Sequence, residues 1–281
     1  IYQLLYCDSI PNYAAVNSTV ELAKRKHRKS ANFINAILRK IISSSFKINK
    51  DSSNKDYEKV NYIHSEWFKE KLIEQYSKST AIEILKSNLK KPKIWIRVNL
   101  LKTNVEFIKN IFSDNDIAFK VDKYINIFLQ INNFHNNKVI LKLLNDGLLY
   151  IQNPSSGHIV NIIESKPGDI ILDACSAPGG KASLLAQQMD NKIKLKCMDI
   201  NQDRIKVLKK NLTLLNIINA DFSCNDAKSF NSKLLFDKII LDMPCSSSGT
   251  INKNPDIKWR INKQNVIEFQ KTQYEILNNM K

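Results

Sequence analysis

Asp173 to Lys181 reads DACSAPGGK, preceded by the apolar run Asp169 to Leu172 and followed by Ala182 to Met189, a stretch of helix-forming composition. A strand, a glycine-containing turn and a helix in succession make the opening unit of a nucleotide-binding α/β sheet, because glycines let backbone N–H groups approach a ligand at the helix N-terminus. A triphosphate loop would need Gly at position 175 and Ser or Thr at 182, where this chain has Cys175 and Ala182. The dinucleotide fingerprint fails too, since Gly179 and Gly180 are adjacent and no third glycine follows. A ligand with one nucleoside remains.

Working outward from this loop, the next apolar segment, Ile193 to Met198, ends in Asp199, where a ribose hydroxyl pair would be held. A third strand is expected before Asp226, which is placed to accept from an adenine amino group. A fourth, Phe236 to Leu241, runs into DMPCSSSG, bringing Asp242 and Cys245 to the same carboxyl edge. Ligands of open α/β sheets lie outside that edge, so three acids and a Gly-rich turn there define a pocket for which S-adenosylmethionine is the best candidate. A nicotinamide dehydrogenase is disfavoured by the glycine pattern. Asn201 to Asn216 is the expected second helix, with Ile205, Leu208, Leu212 and Leu215 as its apolar stripe and Arg204, Lys206, Lys209 and Lys210 as its solvated side.

CSAPGGK, MDINQDR, the segment around Asp226 and LDMPCSSSGTINKNPDIKW together resemble the RsmB/Sun class of RNA cytosine-5 methyltransferases. Upstream, AAVNSTVELAK and FINAILRK resemble the NusB-like domain that precedes many bacterial enzymes of this class. The resemblance implies a Rossmann-like class I methyltransferase sheet, C-terminally incomplete, over residues 151–281. It is preceded by a small α/β RNA-binding subdomain over 64–150 and by a partial all-α NusB-like domain over 1–45. Residues 46–63, rich in Ser, Lys and Asn, read as a linker.

The segments between follow from periodicity. Phe33, Ile34, Ile37, Leu38 and Ile41 are spaced for one helix face, and HSEWFKEKLIEQY and STAIEILKSNL are expected helices, the latter capped by Ser79 or Thr80. KPKIWIRVNLLKTN alternates like a strand. Trp67, Trp95 and Tyr150 read as core aromatics rather than stacking platforms. Arg97 and Asn99 sit on a strand face where either a structural or an RNA-binding part is open, and Gln152 to Ser156 reads as a capping turn.

Composition bounds the setting. The 281 residues are 43% hydrophobic and 25% charged, enough for real cores, and no run approaches the roughly 18 apolar residues of a membrane span. With no signal-peptide pattern at the start, a cytoplasmic monomer is expected. Five cysteines at 7, 175, 197, 224 and 245 form neither a CxxC pair nor a zinc spacing, so no metal is expected. Cys7, Cys197 and Cys224 read as small apolar residues. The net charge of +16 favours a polyanionic partner, here RNA, against a plain drift of composition towards lysine.

C5 of cytosine is a poor nucleophile, so methylation there needs a thiolate to add first at C6 and a second group to hydrogen-bond the ring as charge develops. Asp242 is the candidate for the second part. The resemblance implies that the attacking cysteine belongs to a Thr-Cys motif on a later strand, which the chain does not reach, and that Cys245 assists product release. It implies further that Cys175, Ser176, Ala177, Pro178, Gly179, Gly180 and Lys181 cradle the methyl donor with Asp199, Asp226 and Asp242, Lys181 meeting the donor or Asp242. Cys245 as the nucleophile itself, as in DNA cytosine-5 methyltransferases, stays open. So does a catalytically inactive RNA-binding protein that keeps the fold.

Overall fold

The computed structural model describes residues 1–44, 64–132 and 136–281. The linker expected at 46–63 lies outside the described residues. The chain divides into two compact units, Ile1–Ile63 and His64–Lys281.

The first unit is helical: α1 (Tyr2–Tyr6), α2 (Asn12–His27) and α3 (Ala31–Ser43). Ala15 and Val16 of α2 and Ala31 and Leu38 of α3 are its buried apolar side chains. The stripe expected on α3 is only partly inside. Phe33 is 68% exposed and Ile37 is exposed as well, because among the described residues of this unit α3 packs on α2 and the short 3-10 turn Arg28–Ser30, which leave the far side of its stripe uncovered.

The second unit begins with the helix pair α4 (Glu66–Gln75) and α5 (Lys78–Asn88). The cap of α5 is Ser77, whose Oγ accepts from Thr80 N, and not Ser79 or Thr80, which lie inside the helix. A four-stranded antiparallel sheet follows, built from β1 (Ile94–Val98), β2 (Phe119–Val121), β3 (Phe128–Ile131) and β4 (Leu149–Ile151) in the order β2-β3-β1-β4. The helices α6 (Val105–Asp114) and α7 (Lys138–Asn145) belong to it. Side chains alternate across β1, as a pleated strand requires. Ile96 and Val98 join Ile108, Phe112, Ile140 and Leu143 in one core, while Trp95 packs against the core of the next sheet.

That next sheet is parallel, in the order β7-β6-β5-β8: β5 (Ile170–Asp173), β6 (Lys194–Asp199), β7 (Ala220–Cys224) and β8 (Lys238–Ile240). Between its strands run α9 (Gly180–Gln188) and α10 (Gln202–Leu214); α8 (Pro154–Ile162) leads in, and the short α11 (Ile257–Arg260) and long α12 (Lys263–Asn279) follow. Leu184, Leu185, Leu208 and Leu212 form one core with Ile171 and Leu195, and Ile276 and Met280 cover Leu172 and Met198 in another. Helices thus lie on both faces, as a parallel sheet demands.

The two sheets are joined through polar groups as well as through Phe128, which shares the core of α9 and α10. Arg97, fully buried, donates to Ser183 Oγ at 2.9 Å and to the Gly180 carbonyl at 3.1 Å. Asn99 donates to the carbonyls of Gly147 at 2.8 Å and Leu215 at 3.0 Å, and Gln187 donates to that of Val98 at 3.2 Å. The open question about Arg97 and Asn99 is thereby answered: both are interior fasteners.

Candidate active site

In the parallel sheet four acids stand side by side at the carboxyl ends of adjacent strands. Asp199 closes β6 and pairs in register with Cys224 of β7, two residues before Asp226. Asp173 closes β5 opposite Ile240 of β8, two residues before Asp242. The loop after β5 then turns into α9 through Gly179, whose φ of +100° is open to glycine at little cost.

A cleft of about 880 Å³ opens over this loop. One wall is Cys175 to Pro178, Gly180, Lys181, Asp173 and Asp242; the facing wall is Trp95, Tyr150 and Gln152 from the antiparallel sheet, with Lys91, Lys93 and Lys253 also lining it. Lys181 Nζ is ion-paired with Asp242 Oδ2, as the sequence allowed. Asn153 caps α8, accepting from Ser155 N at 3.0 Å, so the expected capping turn exists, and Gln152 beside it belongs to the cleft.

The remaining predicted residues lie outside the lining. Gly179 sits behind the loop against Leu208 and Leu212. Asp199 is 2% exposed, accepts from Asn201 N at 3.1 Å, and has Arg204 Nη1 at 3.0 Å from its Oδ2. Arg204 is therefore not merely the solvated side of α10: it also donates to the Ala177 carbonyl at 2.5 Å and ties α10 to the loop. Asp226 is half-buried and accepts from Lys228 N at 2.9 Å.

The thiols differ from their expected settings. Cys245, expected to face the pocket from a strand end, is exposed and does not line the cleft, because β8 ends at Ile240 and a loop carries the chain onward; its Sγ accepts from Ser247 N at 3.4 Å. Cys224, expected inside, is exposed, and its Sγ donates to the Ile200 carbonyl at 3.4 Å, whereas Cys197 is buried. Burial pushes the Cys197 thiol up to about 12 and the Cys175 thiol up to about 11, the latter helped by Asp173 and Asp199. Neither is a thiolate near neutral pH.

Asp173 is the residue the sequence reading passed over, although it opens the decisive loop. Its Oδ2 accepts from Ser176 Oγ at 3.0 Å, while Oδ1 receives no well-aligned hydrogen bond among the described residues. Burial pushes its carboxyl up to about 7, against the lowering effects of the Ser176 bond and Lys181. The folded chain therefore holds this proton more tightly than the unfolded one, whose carboxyl titrates near 3.8. The associated stability is full below that value and is lost as pH rises through about 7. Asp173→Asn should flatten the fall in unfolding free energy between about pH 5 and 8 by on the order of 2 kcal/mol in urea titrations; a slope equal to wild type would contradict the buried setting.

A parallel sheet whose first strand feeds a glycine turn at a helix N-terminus, with acids at the successive strand ends, is the architecture of Rossmann-like methyltransferases. The family 16S rRNA methyltransferase RsmB/F matches residues 160–281, the NusB family matches 1–43, and the RsmF/B-like ferredoxin-like domain matches 64–136. These three matches, in this order, make the chain similar to the RsmB/F methyltransferases over most of its length. Ribosomal RNA small subunit methyltransferase B of Yersinia enterocolitica is 30% identical over 99% of this chain and 64% of its own length. The chain thus spans less than two thirds of that relative. Among solved structures, PH0851 superposes with a TM-score of 0.80 at 27% identity, covering 95% of this chain and 60% of its own. A methyltransferase homolog protein from Pyrococcus horikoshii gives 0.68 at 26% identity, covering 79% and 70%.

Proposed function

We propose that the protein transfers a methyl group from S-adenosylmethionine to C5 of a cytosine in RNA, with small-subunit ribosomal RNA as the substrate and the cytoplasm as the setting. The observation that carries this reading is the cleft itself: a Gly-rich helix N-terminus and Lys181–Asp242 on one side, aromatic Trp95 and Tyr150 opposite, and lysines along it.

The residues present fit the methyl donor. Asp199 Oδ2 is buried and receives no aligned hydrogen bond, which leaves acceptor capacity for ribose hydroxyls. Asp226 follows β7, beside the strand that ends in Asp199, and takes the adenine amino group. The backbone of Cys175 to Lys181 holds the amino-acid end, because the first N–H groups of a helix have no acceptor of their own. When bound, S-adenosylmethionine supplies the electrophilic methyl group.

Asp242, held by Lys181, hydrogen-bonds the target ring as charge develops in it. Lys91, Lys93 and Lys253 take phosphates, where each contact releases a counterion. No Thr-Cys dipeptide occurs in the 281 residues, and Cys245, three residues after Asp242, is assigned to release of the methylated base.

Titration calorimetry with S-adenosylmethionine tests the assignment. Wild type should give a saturable heat, and Asp199→Ala should weaken binding about tenfold or more, the loss expected for a buried charged acceptor. No saturable heat from wild type, or equal affinity in the variant, would sink it. One observation favours a second reading, an RNA-binding chain without catalysis: the cleft's own thiol, Cys175, is held protonated. Transfer of labelled methyl to a cytidine-containing oligoribonucleotide separates the two.

A further inference from the structure

Gln152 leaves β4 into the cleft and is 8% exposed. Its Oε1 accepts from Arg97 Nη1 at 2.7 Å, a buried contact. A guanidinium carries donors only, so the amide must turn its oxygen towards Arg97 and its NH₂ the other way. Arg97 in turn is fixed by Ser183 Oγ, by the Gly180 carbonyl and by the Tyr150 ring, whose centroid lies 5.3 Å from the guanidinium carbon. The orientation of the amide is thus imposed by a side chain outside the cleft lining.

The Nε2 group so directed lies against the first residue of α9: a Cβ on Gly180 would come within 3.1 Å of it. Among the described residues no acceptor takes its hydrogens. A donor on a side chain nine-tenths buried, opening into the cleft beside Lys181 and lacking a partner among the described residues, is the complement of an acceptor atom on a ligand. A glycine at 180 fits the same purpose, since any side chain there would crowd the amide.

We infer that Gln152 is a binding residue that donates to an acceptor oxygen of the molecule in the cleft, and that Arg97 is its positioning residue. The inference rests on the methyltransferase reading. Two sources supply that oxygen: the carboxylate of the methyl donor, or the ring carbonyl of the target pyrimidine.

Gln152→Glu separates the two faces of the amide. It keeps an oxygen for Arg97, now as an ion pair, and removes the donor, so the thermal midpoint should stay at or above that of wild type. Binding of S-adenosylmethionine is read by calorimetry, and binding of a single-stranded cytidine-containing oligoribonucleotide by fluorescence anisotropy. A loss of about tenfold or more for the first with the second unchanged assigns the oxygen to the carboxylate; the converse assigns it to the pyrimidine. Arg97→Lys keeps the charge but not the fork. Its loss of affinity should vanish in the Gln152→Glu background, a non-additivity that a purely structural arginine would not produce. Wild type that binds neither ligand overturns the methyltransferase reading and this inference with it. Wild type that binds while Gln152→Glu and Gln152→Met, both folded, bind equally well overturns the inference alone.

Discussion

Arg97→Met should lower the unfolding free energy of the unit His64–Lys281 by about 2 kcal/mol, seen as a fall in the urea midpoint with little change in slope. The guanidinium is fully buried and has three hydrogen-bond acceptors, Gln152 Oε1, Ser183 Oγ and the Gly180 carbonyl, and no carboxylate partner. Burial pushes its pKa down to about 9, partly offset by Tyr150, so it stays charged at neutral pH. Methionine fills a similar volume and relieves the desolvation of the charge. It also strands Gln152 Oε1 inside, while Ser183 Oγ keeps its bond to the Gly180 carbonyl, and an unsatisfied buried polar group costs about 1–3 kcal/mol. The second effect outweighs the first because the guanidinium keeps its charge with three acceptors around it, although its Nε has no partner among the described residues, whereas the stranded Gln152 oxygen is left with none. A loss below about 1 kcal/mol would mean that the acceptors find water, and that the joint between the sheets is looser than described.

Gly179→Val should cost about 2–5 kcal/mol and abolish the S-adenosylmethionine binding proposed for the cleft. Two independent penalties act at this position. The backbone has a φ of +100°, which a β-branched residue adopts only under strain of about 1–3 kcal/mol. A Cβ there would also lie 2.7 Å from Leu208 Cδ1 and nearer still to Leu212, both fully buried, and overpacking of that kind costs about 1–3 kcal/mol. The alternative to paying both terms is for the loop to move off α10, which takes the Cys175 to Pro178 wall out of the cleft. Denaturant unfolding and calorimetry on the same preparation check the two halves of this expectation. A variant as stable as wild type would show that the loop does not seat against Leu208 and Leu212.

The parallel sheet was legible because β5, β6 and β8 lie in largely apolar segments with an acid at or just beyond the end, whereas β7, ADFSC, was expected only from its place before Asp226; strand, turn and helix succeed one another without long interruptions. The cleft's loop wall was legible for the same reason. What escaped the sequence depends on distance in the chain. Arg97 is 55 residues from Gln152 and 86 from Ser183, so nothing local distinguishes its burial from a phosphate-binding surface arginine. Alternation along β1 does put Trp95 and Arg97 on one face, a signal that points to the facing wall once the other face is known to be core. Arg204 looked like one cation among several because its partners, Asp199 and the Ala177 carbonyl, come from two different strand ends. Phe33 and Ile37 obeyed helical spacing, but spacing reports a face and not whether anything covers it. Cys245 was misjudged because the strand before it is three residues long and the following loop sets its direction.

The fastening of β1 to α9 and α10 bears on how such chains can be recombined. A chimera that exchanged residues 64–151 for the equivalent piece of a related chain would have to bring more than a compatible apolar face. It would need an arginine near the end of one strand with an asparagine two residues on, and a recipient with a hydroxyl at 183 and an amide at 187, the carbonyl of residue 215 just past α10 being one that any residue supplies. Inheritance of these four side chains is therefore collective, since a change at any one of them removes a hydrogen bond across the joint.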